Sequence, residues 1–322
     1  MKNKIKLLLS LFLTVLLLWF FLYKTNLNMV FLSLKNTNIY ILLIAVLLNL
    51  FSVILRIFRL KIFLLPIKRI SFKTLFVAIF SSYFISTILP GRLGEIVKPL
   101  YIAAEENISR LSSLAIAFLE RLFDLFALFI FFLTFLLTYS ITNNKVSLDA
   151  FYRVSFYGIF FLFFVFFFFF LWLKIGFQIP IFKFLKPYLE KIKYGLSSFT
   201  SFKQIIFAFI LTIFIWILVS LFTFLILKSF NLNLPFISSF MLLSVSAIGF
   251  IIPTPGGTGG VHKAFQIGLV LFYSIELNLA TAISIVGHFF AMIPVALVGF
   301  LSLIVYGIPL PKILNFAKID KR

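Results

Sequence analysis

Glu120, Arg121 and Asp124 sit near the middle of an apolar run, residues 111–139. A lone charge at such depth costs at least ~3 kcal/mol on insertion scales. Three of them need partners or a purpose. At helical spacing Glu120 and Asp124 share a face, and Arg121 can pair with Asp124 at i, i+3. Glu120 is then left over and calls for a cation, for which Arg92 is the candidate. Two readings stay open here: an ion-pair network that holds a helix bundle, or the wall of a polar cavity.

Arg92, Glu95 and Lys98 lie beside another interruption, Pro90-Gly91-Arg92-Leu93-Gly94-Glu95, which follows the hydrophobic run 76–89. Arg92 and Glu95 are i, i+3 and can pair. A guanidinium at mid-membrane, beside the free N–H groups of a new helix, is equipped to grip a phosphate bidentately. Arg56 and Arg59 are also i, i+3. For them the simpler reading is snorkelling at the membrane interface. His262 and His288 are the only histidines. Either they pack, or they face each other across a hairpin, relaying protons or hydrogen-bonding a phosphate. No carboxylate or thiol lies near either in sequence, so no metal site is expected. No Walker motif, dinucleotide fingerprint or nucleophile elbow occurs in a usable context, so neither a cofactor nor a catalytic residue is expected.

Composition says what must position these residues. The 322 residues are 63% hydrophobic and only 12% charged, about half the charge of a soluble domain. Several apolar runs exceed the ~18 residues that mark a membrane helix. This is therefore an all-α polytopic membrane protein, with residues 1–322 as one transmembrane domain. The net charge of +20 fits basic loops facing anionic lipid better than it fits nucleic acid. With no cysteine, disulfides, thiol catalysis and thiolate metal sites are excluded. The 49 phenylalanines, including the run Phe166 to Phe170, read as lipid-facing filler.

The expected spans are residues 7–23, 39–55, 111–139, 154–173, 204–228 and 279–306. The first has a basic start but no small-residue cleavage site, and reads as an uncleaved helix. Residues 174–203 carry six lysines and one glutamate and are expected to lie partly along the interface. Two broken hairpins complete the set. The first is 74–89, the break at 90–95, then 96–104. The second is 236–252, the break at 253–260 around Pro255-Gly256-Gly257-Thr258-Gly259-Gly260, then 261–273. Residues 24–38, 140–153 and 228–234 are expected to be connecting segments with few charges. The stretches 56–73, 174–203 and the tail from 312 are basic. The alternation places both termini in the cytoplasm. The two hairpins then enter from opposite sides, an inverted repeat with approximate halves 39–139 and 204–306. Pro90, Gly91, Gly94, Pro255, Gly256, Gly257 and Gly259 would allow close backbone approach or movement. Ordinary surface turns are the competing reading.

Leu89-Pro90-Gly91-Arg92-Leu93-Gly94-Glu95, then Glu120-Arg121-Leu122-Phe123-Asp124, then Pro255-Gly256-Gly257-Thr258-Gly259 resemble the flippase-like family named for the transmembrane domain of lysylphosphatidylglycerol synthase. The Arg56/Arg59 segment fits as well, and the resemblance covers essentially the whole chain. It implies a lipid-translocation domain with broken helices. In bifunctional members this domain moves aminoacylated phosphatidylglycerol outward, while a C-terminal soluble domain makes that lipid. No stretch here reads as such a domain, so synthase activity is not carried over. Other stand-alone members are associated with isoprenoid-linked or hopanoid lipids. Many members have Glu shortly after the second break and Arg in the last span, where this chain has His262 and His288. The paired change suggests that the two positions interact.

The resulting expectation is a flippase or scramblase of the cytoplasmic membrane for an anionic or phosphate-bearing lipid. Arg92, Arg121 and Arg56 would bind phosphate, with Arg59 beside them. Glu95, Glu120 and Asp124 would organise them. His262 and His288 would gate or couple to protons. The expected partners are membrane lipids, with the oligomeric state left open. A small-solute secondary transporter would need a water-lined path that these spans do not offer. A lipid-modifying transferase would need a catalytic group and a donor site in a loop, and no loop offers one.

Overall fold

The structure is a computed structural model that describes residues 2–143 and 202–317, with a few positions between 153 and 164. The expected span 154–173 and the basic segment 174–203 fall largely outside the described residues. Among the described residues there are helices and no strand. Helix α1 is Lys2–Leu22, α2 is Leu27–Lys35 and α3 is Ile39–Leu64. The first hairpin is α4, Phe72–Ile88, a short 3-10 turn at Pro90–Arg92, and α5, Gly94–Glu106. Helix α6 is Arg110–Asn143 and α7 is Phe202–Ser229. The second hairpin is α8, Ser238–Gly249, a 3-10 turn at Pro255–Gly257, and α9, Gly260–Tyr273. Helices α10, Leu277–Val305, and α11, Leu310–Ala317, end the described chain.

Helices α3, α6, α7 and α10 are long and apolar enough to cross a membrane. Helices α1 and α2 pass the same test as a pair bent by 81°. The bend corrects one expectation, because residues 24–38 are no simple connecting loop. Asn26 caps α2 by accepting from the N–H groups of Asn28 and Met29, and Val30 on its inner face is buried against the bundle. Helix α3 also outruns its expected end at residue 55. Nothing breaks it there, and it carries Arg56 and Arg59 inward to Leu64.

The chain forms two apolar clusters with a polar layer between them. One gathers the C-terminal half of α3, α4, α5 and the start of α6. The other gathers α2, the N-terminal half of α3, α7, α8, α9 and the first half of α10. Beyond the first cluster lies a basic end, where Lys68 pairs with Glu106 at 3.1 Å and Lys312 pairs with Glu105. Beyond the second lies an end tied by neutral hydrogen bonds. There the Asn26 N–H donates to Asn278 Oδ1 at 2.7 Å and the Asn38 N–H to the Ser229 carbonyl at 2.9 Å.

The hairpin limbs run 17, 13, 12 and 14 residues. At 1.5 Å per residue none reaches the ~30 Å of a hydrocarbon core. Both breaks open with the same backbone. Proline opens a 3-10 turn, and the following Gly91 (φ 68°, ψ 23°) or Gly256 (φ 59°, ψ 8°) takes the left-handed conformation. The breaks pack against each other. A Cβ placed on Gly91 would lie 3.8 Å from Pro253 Cβ, and one on Gly256 would lie 3.7 Å from Thr87 Cα. Within each hairpin the limbs touch through backbone. Gly94 abuts the Ser82 carbonyl, and Gly260 abuts that of Gly249.

Candidate functional site

The polar layer is built by five elements. Helix α3 presents Asn49, Ser52, Arg56 and Arg59 at spacings of three and four, so one stripe of the helix faces inward. Asn49 Nδ2 donates to the Ala291 carbonyl at 2.9 Å, bracing α10 three residues before its internal Pro294. The first break supplies Arg92, α5 supplies Glu95 and Lys98, α6 supplies Glu120, Arg121 and Asp124, and α7 supplies Thr212 and Trp216.

Six of these side chains close a ring of alternating charge. Arg59 reaches Asp124 at 2.6 Å and Glu120 at 3.6 Å. Lys98 continues from Glu120 at 2.7 Å to Glu95 at 3.6 Å. Arg121 closes the circuit, 3.6 Å from Glu95 and 3.2 Å from Asp124. Three cations and three carboxylates cancel. Arg59 is completely buried, and Glu120 and Asp124 nearly so. Such a burial is tolerable only because each carboxylate has at least two cationic partners. Asp124 also accepts from Trp216 Nε1–H at 3.0 Å, and Arg59 donates to Thr212 Oγ1 at 3.1 Å.

Two arginines hang from this ring. Arg56 lies 3.6 Å from Asp124, with its guanidinium carbon 5.4 Å from the centre of the Trp216 indole. Arg92 lies 3.5 Å from Glu95, stacked 4.4 Å over Phe250 beside the second break. Each shares a carboxylate that the ring already neutralises. Among the described residues the cluster therefore holds five cations against three carboxylates, a surplus of two positive charges. Arg56, Arg92 and Arg121 line a cavity of about 280 Å³. Its other walls are largely apolar, with Leu125, Phe222, Phe250 and Phe265 from four helices or their ends.

Several expectations change in this geometry. Glu120 is not served by Arg92; Lys98 and Arg59 take it, because α5 turns Lys98 inward onto α6. Arg59 does not snorkel, since α3 continues past it and carries its guanidinium into the protein interior. Arg56 is nearly buried as well, with its side chain 11% exposed. The Arg121–Asp124 and Arg92–Glu95 pairs form as the spacing implies. Trp216, Thr212, Asn49 and Ser52 were not singled out in the sequence. The inward stripe 49, 52, 56 and 59, and polar Thr212 and Trp216 one turn apart in an apolar helix, were the available signals.

His262 and His288 do meet. Gly259 N–H donates to His262 Nδ1 at 3.2 Å. His262 Nε2 lies 2.9 Å from His288 Nδ1, and His288 Nε2 lies 2.9 Å from the Gly256 carbonyl. Only one proton assignment satisfies all three contacts. The carbonyl can only accept and the backbone N–H can only donate, so each ring carries its proton on Nε2. The chain leaves Gly259, passes through both imidazoles and returns to Gly256. It staples the second break to α10. Every ring nitrogen is committed, so neither proton transfer nor a phosphate contact is available until the staple opens. His288 still edges the cavity beside Arg92 and Phe250. Among the described residues no group of three potential metal ligands comes together.

Long apolar helices, two paired Pro-Gly breaks and an internal charge layer beside a cavity define a multi-pass membrane protein with a polar site between broken helices. The chain belongs to the lysylphosphatidylglycerol synthase TM region family, whose model matches residues 6–299. No significant match was found among curated proteins or among solved structures. The family and the buried polar layer together indicate a membrane function related to lipid.

Proposed function

We propose that the protein moves an anionic or phosphate-bearing lipid between the leaflets of the cytoplasmic membrane, without changing it covalently. The observation that carries this reading is the arrangement of charge. A neutral ring of six residues anchors two surplus arginines, Arg56 and Arg92, at the wall of a cavity between the two broken hairpins. At about 280 Å³ the cavity is on the scale of a headgroup and not of a whole lipid. Its apolar walls suit the first carbons of the chains, which would remain in the bilayer.

The fold supports the same reading. The order of long helix, short limb, Pro-Gly turn, short limb and long helix occurs twice, as α3 to α6 and as α7 to α10. Helix α4 packs on α10, and α8 packs on α6. We read these as two inverted halves related by a pseudo-two-fold axis in the membrane plane, with re-entrant breaks meeting near its centre. Lys68 and Lys312 sit on Glu106 and Glu105 and Lys73 on Tyr306 at one end, and by the positive-inside rule we read that end, with both termini, as cytoplasmic. The test is reconstitution in vesicles with fluorescently labelled phosphatidylglycerol and polyprenyl phosphate, read by quenching from outside. Leaflet exchange is expected from the intact protein and its loss from Arg92→Ala and Arg121→Ala. Exchange undiminished in both variants would overturn the site assignment.

A further inference from the structure

We infer that the headgroup this site takes is a phosphate monoester, a doubly charged anion, in preference to a singly charged phosphodiester. The inference rests on the lipid-headgroup reading above and concerns the same cavity. It follows from the surplus itself. The ring Arg59, Glu120, Lys98, Glu95, Arg121 and Asp124 is neutral, so all the net charge comes from Arg56 and Arg92. His288 adds none, because each ring in the staple carries a single proton. Arg56 is nearly buried and Arg92 stands partly open at the cavity wall, and surplus charge beside largely apolar walls draws a counter-charge. A diester leaves one positive charge uncompensated, whereas a monoester at neutral pH carries nearly two negative charges and closes the account.

Donor geometry leads to the same class. Arg56, Arg92 and Arg121 all line the cavity, and Arg56 Nε and Arg121 Nε, like Arg59 Nε in the ring, are buried N–H donors without an acceptor. Three arginines thus converge on one space. A monoester presents three terminal oxygens, each an acceptor for charge-assisted bonds, and a diester presents two. Arg92 is held at φ 52°, in the left-handed region that arginine rarely adopts. The matching position of the second break is Gly257, at φ 74°, where the residue type suits the backbone. Keeping a long cation at this strained position favours a charge requirement over a turn requirement.

The experiment measures binding of short-chain lipids to the purified full-length protein by native mass spectrometry and isothermal titration. The probes are phosphatidic acid, its methyl ester phosphatidylmethanol, phosphatidylglycerol and inorganic phosphate. Phosphatidic acid is expected to bind roughly tenfold tighter than its methyl ester, because the extra Coulomb attraction outweighs the extra desolvation. In Arg56→Gln and in Arg92→Gln the preference is expected to shrink towards unity, since each removes one surplus charge while the ring stays whole. Arg92→Gln serves as the safer variant, because its side chain is 37% exposed. Equal binding of phosphatidic acid, its methyl ester and phosphatidylglycerol, weakened in both variants, would overturn the monoester inference and leave the lipid reading standing. A preference that survives both variants would overturn the assignment to these arginines. Inorganic phosphate binding as tightly as the lipid would show a soluble-anion site, and no binding by any probe would sink the lipid reading as well.

Discussion

Arg59 and Asp124 form a buried two-point contact, with one guanidinium nitrogen 2.6 Å from Oδ1 and the other 3.4 Å from Oδ2. This pair ties α3 to α6 in the interior, where each charge alone would be untenable. Removing one partner of a buried pair costs ~3–5 kcal/mol when the other is left alone, and here Glu120 beside Arg59 and Arg56 and Arg121 beside Asp124 soften that loss. Asp124 supports two further arginines, so Asp124→Ala should be the more damaging single change. We expect Asp124→Ala and Arg59→Ala each to lower the thermal midpoint sharply in detergent. The double replacement Arg59→Met with Asp124→Leu should recover part of the loss, because it leaves no orphan between them. A double variant as unstable as the sum of the singles would show that the pair is not coupled.

Arg92 makes two modest contacts and sits in an unfavourable conformation. Arg92→Ala gives up the contacts with Glu95 and Phe250 and keeps the left-handed backbone. Arg92→Gly gives up the same contacts and relieves the backbone. The glycine variant should therefore be more stable than the alanine variant by about 1 kcal/mol. Both should be equally deficient in lipid movement. Thermal unfolding of the two, run beside the vesicle assay, checks the order. An active Arg92→Gly variant would show that the turn, and not the charge, is what the position supplies.

Much of this site is readable in the sequence because membrane burial makes charge conspicuous. Glu120, Arg121 and Asp124 announce themselves by standing in a run of apolar residues, and helical spacing alone gives the Arg121–Asp124 pair. The spacing cannot say which helix arrives opposite. Lys98 is an unremarkable lysine until α5 folds back at Gly94 and turns it onto Glu120. Arg59 looks interfacial because the apolar run before it ends at residue 55, yet α3 continues for two more turns inside the bundle. Trp216 and Thr212 carry no charge and leave almost no trace in a hydropathy profile, although they complete the environment of Asp124 and Arg59. The His262–His288 contact spans 26 residues. The placement of the two histidines on either side of a hairpin makes the contact conceivable and the paired change in the family resemblance points to it, whereas local spacing cannot.

The staple between His262 and His288 should behave as one unit. Replacing either ring by alanine breaks the chain from Gly259 to Gly256 and leaves the other ring half-satisfied. The two losses should overlap, so the double variant should be less damaged than the sum by about 1–3 kcal/mol. His262→Glu with His288→Arg should preserve a link, since a carboxylate can accept from the Gly259 N–H and a guanidinium can donate to both it and the Gly256 carbonyl. Either of these two changes alone should be worse than both together. Thermal stability of the four proteins measures the coupling. Strict additivity would mean that the two rings merely pack.

Gly94 and Gly91 lie three residues apart and should respond to alanine for different reasons. At Gly91 space is available, since a Cβ would meet nothing nearer than Pro253 Cβ at 3.8 Å, but the backbone stands at φ 68°. Gly91→Ala should cost about 1 kcal/mol of conformational strain. Gly94 is an ordinary helical residue whose Cβ would run into the Ser82 carbonyl and Ser86 Oγ. A backbone carbonyl cannot rotate aside, so α5 would have to move off α4. That movement would carry Lys98 away from Glu120 and Glu95 away from Arg121, and open the ring at two of its links. Gly94→Ala should therefore cost more stability than Gly91→Ala and should also lower headgroup affinity, which the same lipid titrations would show. If Gly94→Ala keeps both stability and affinity, then the close contact between the limbs is not what holds Lys98 and Glu95 in the ring.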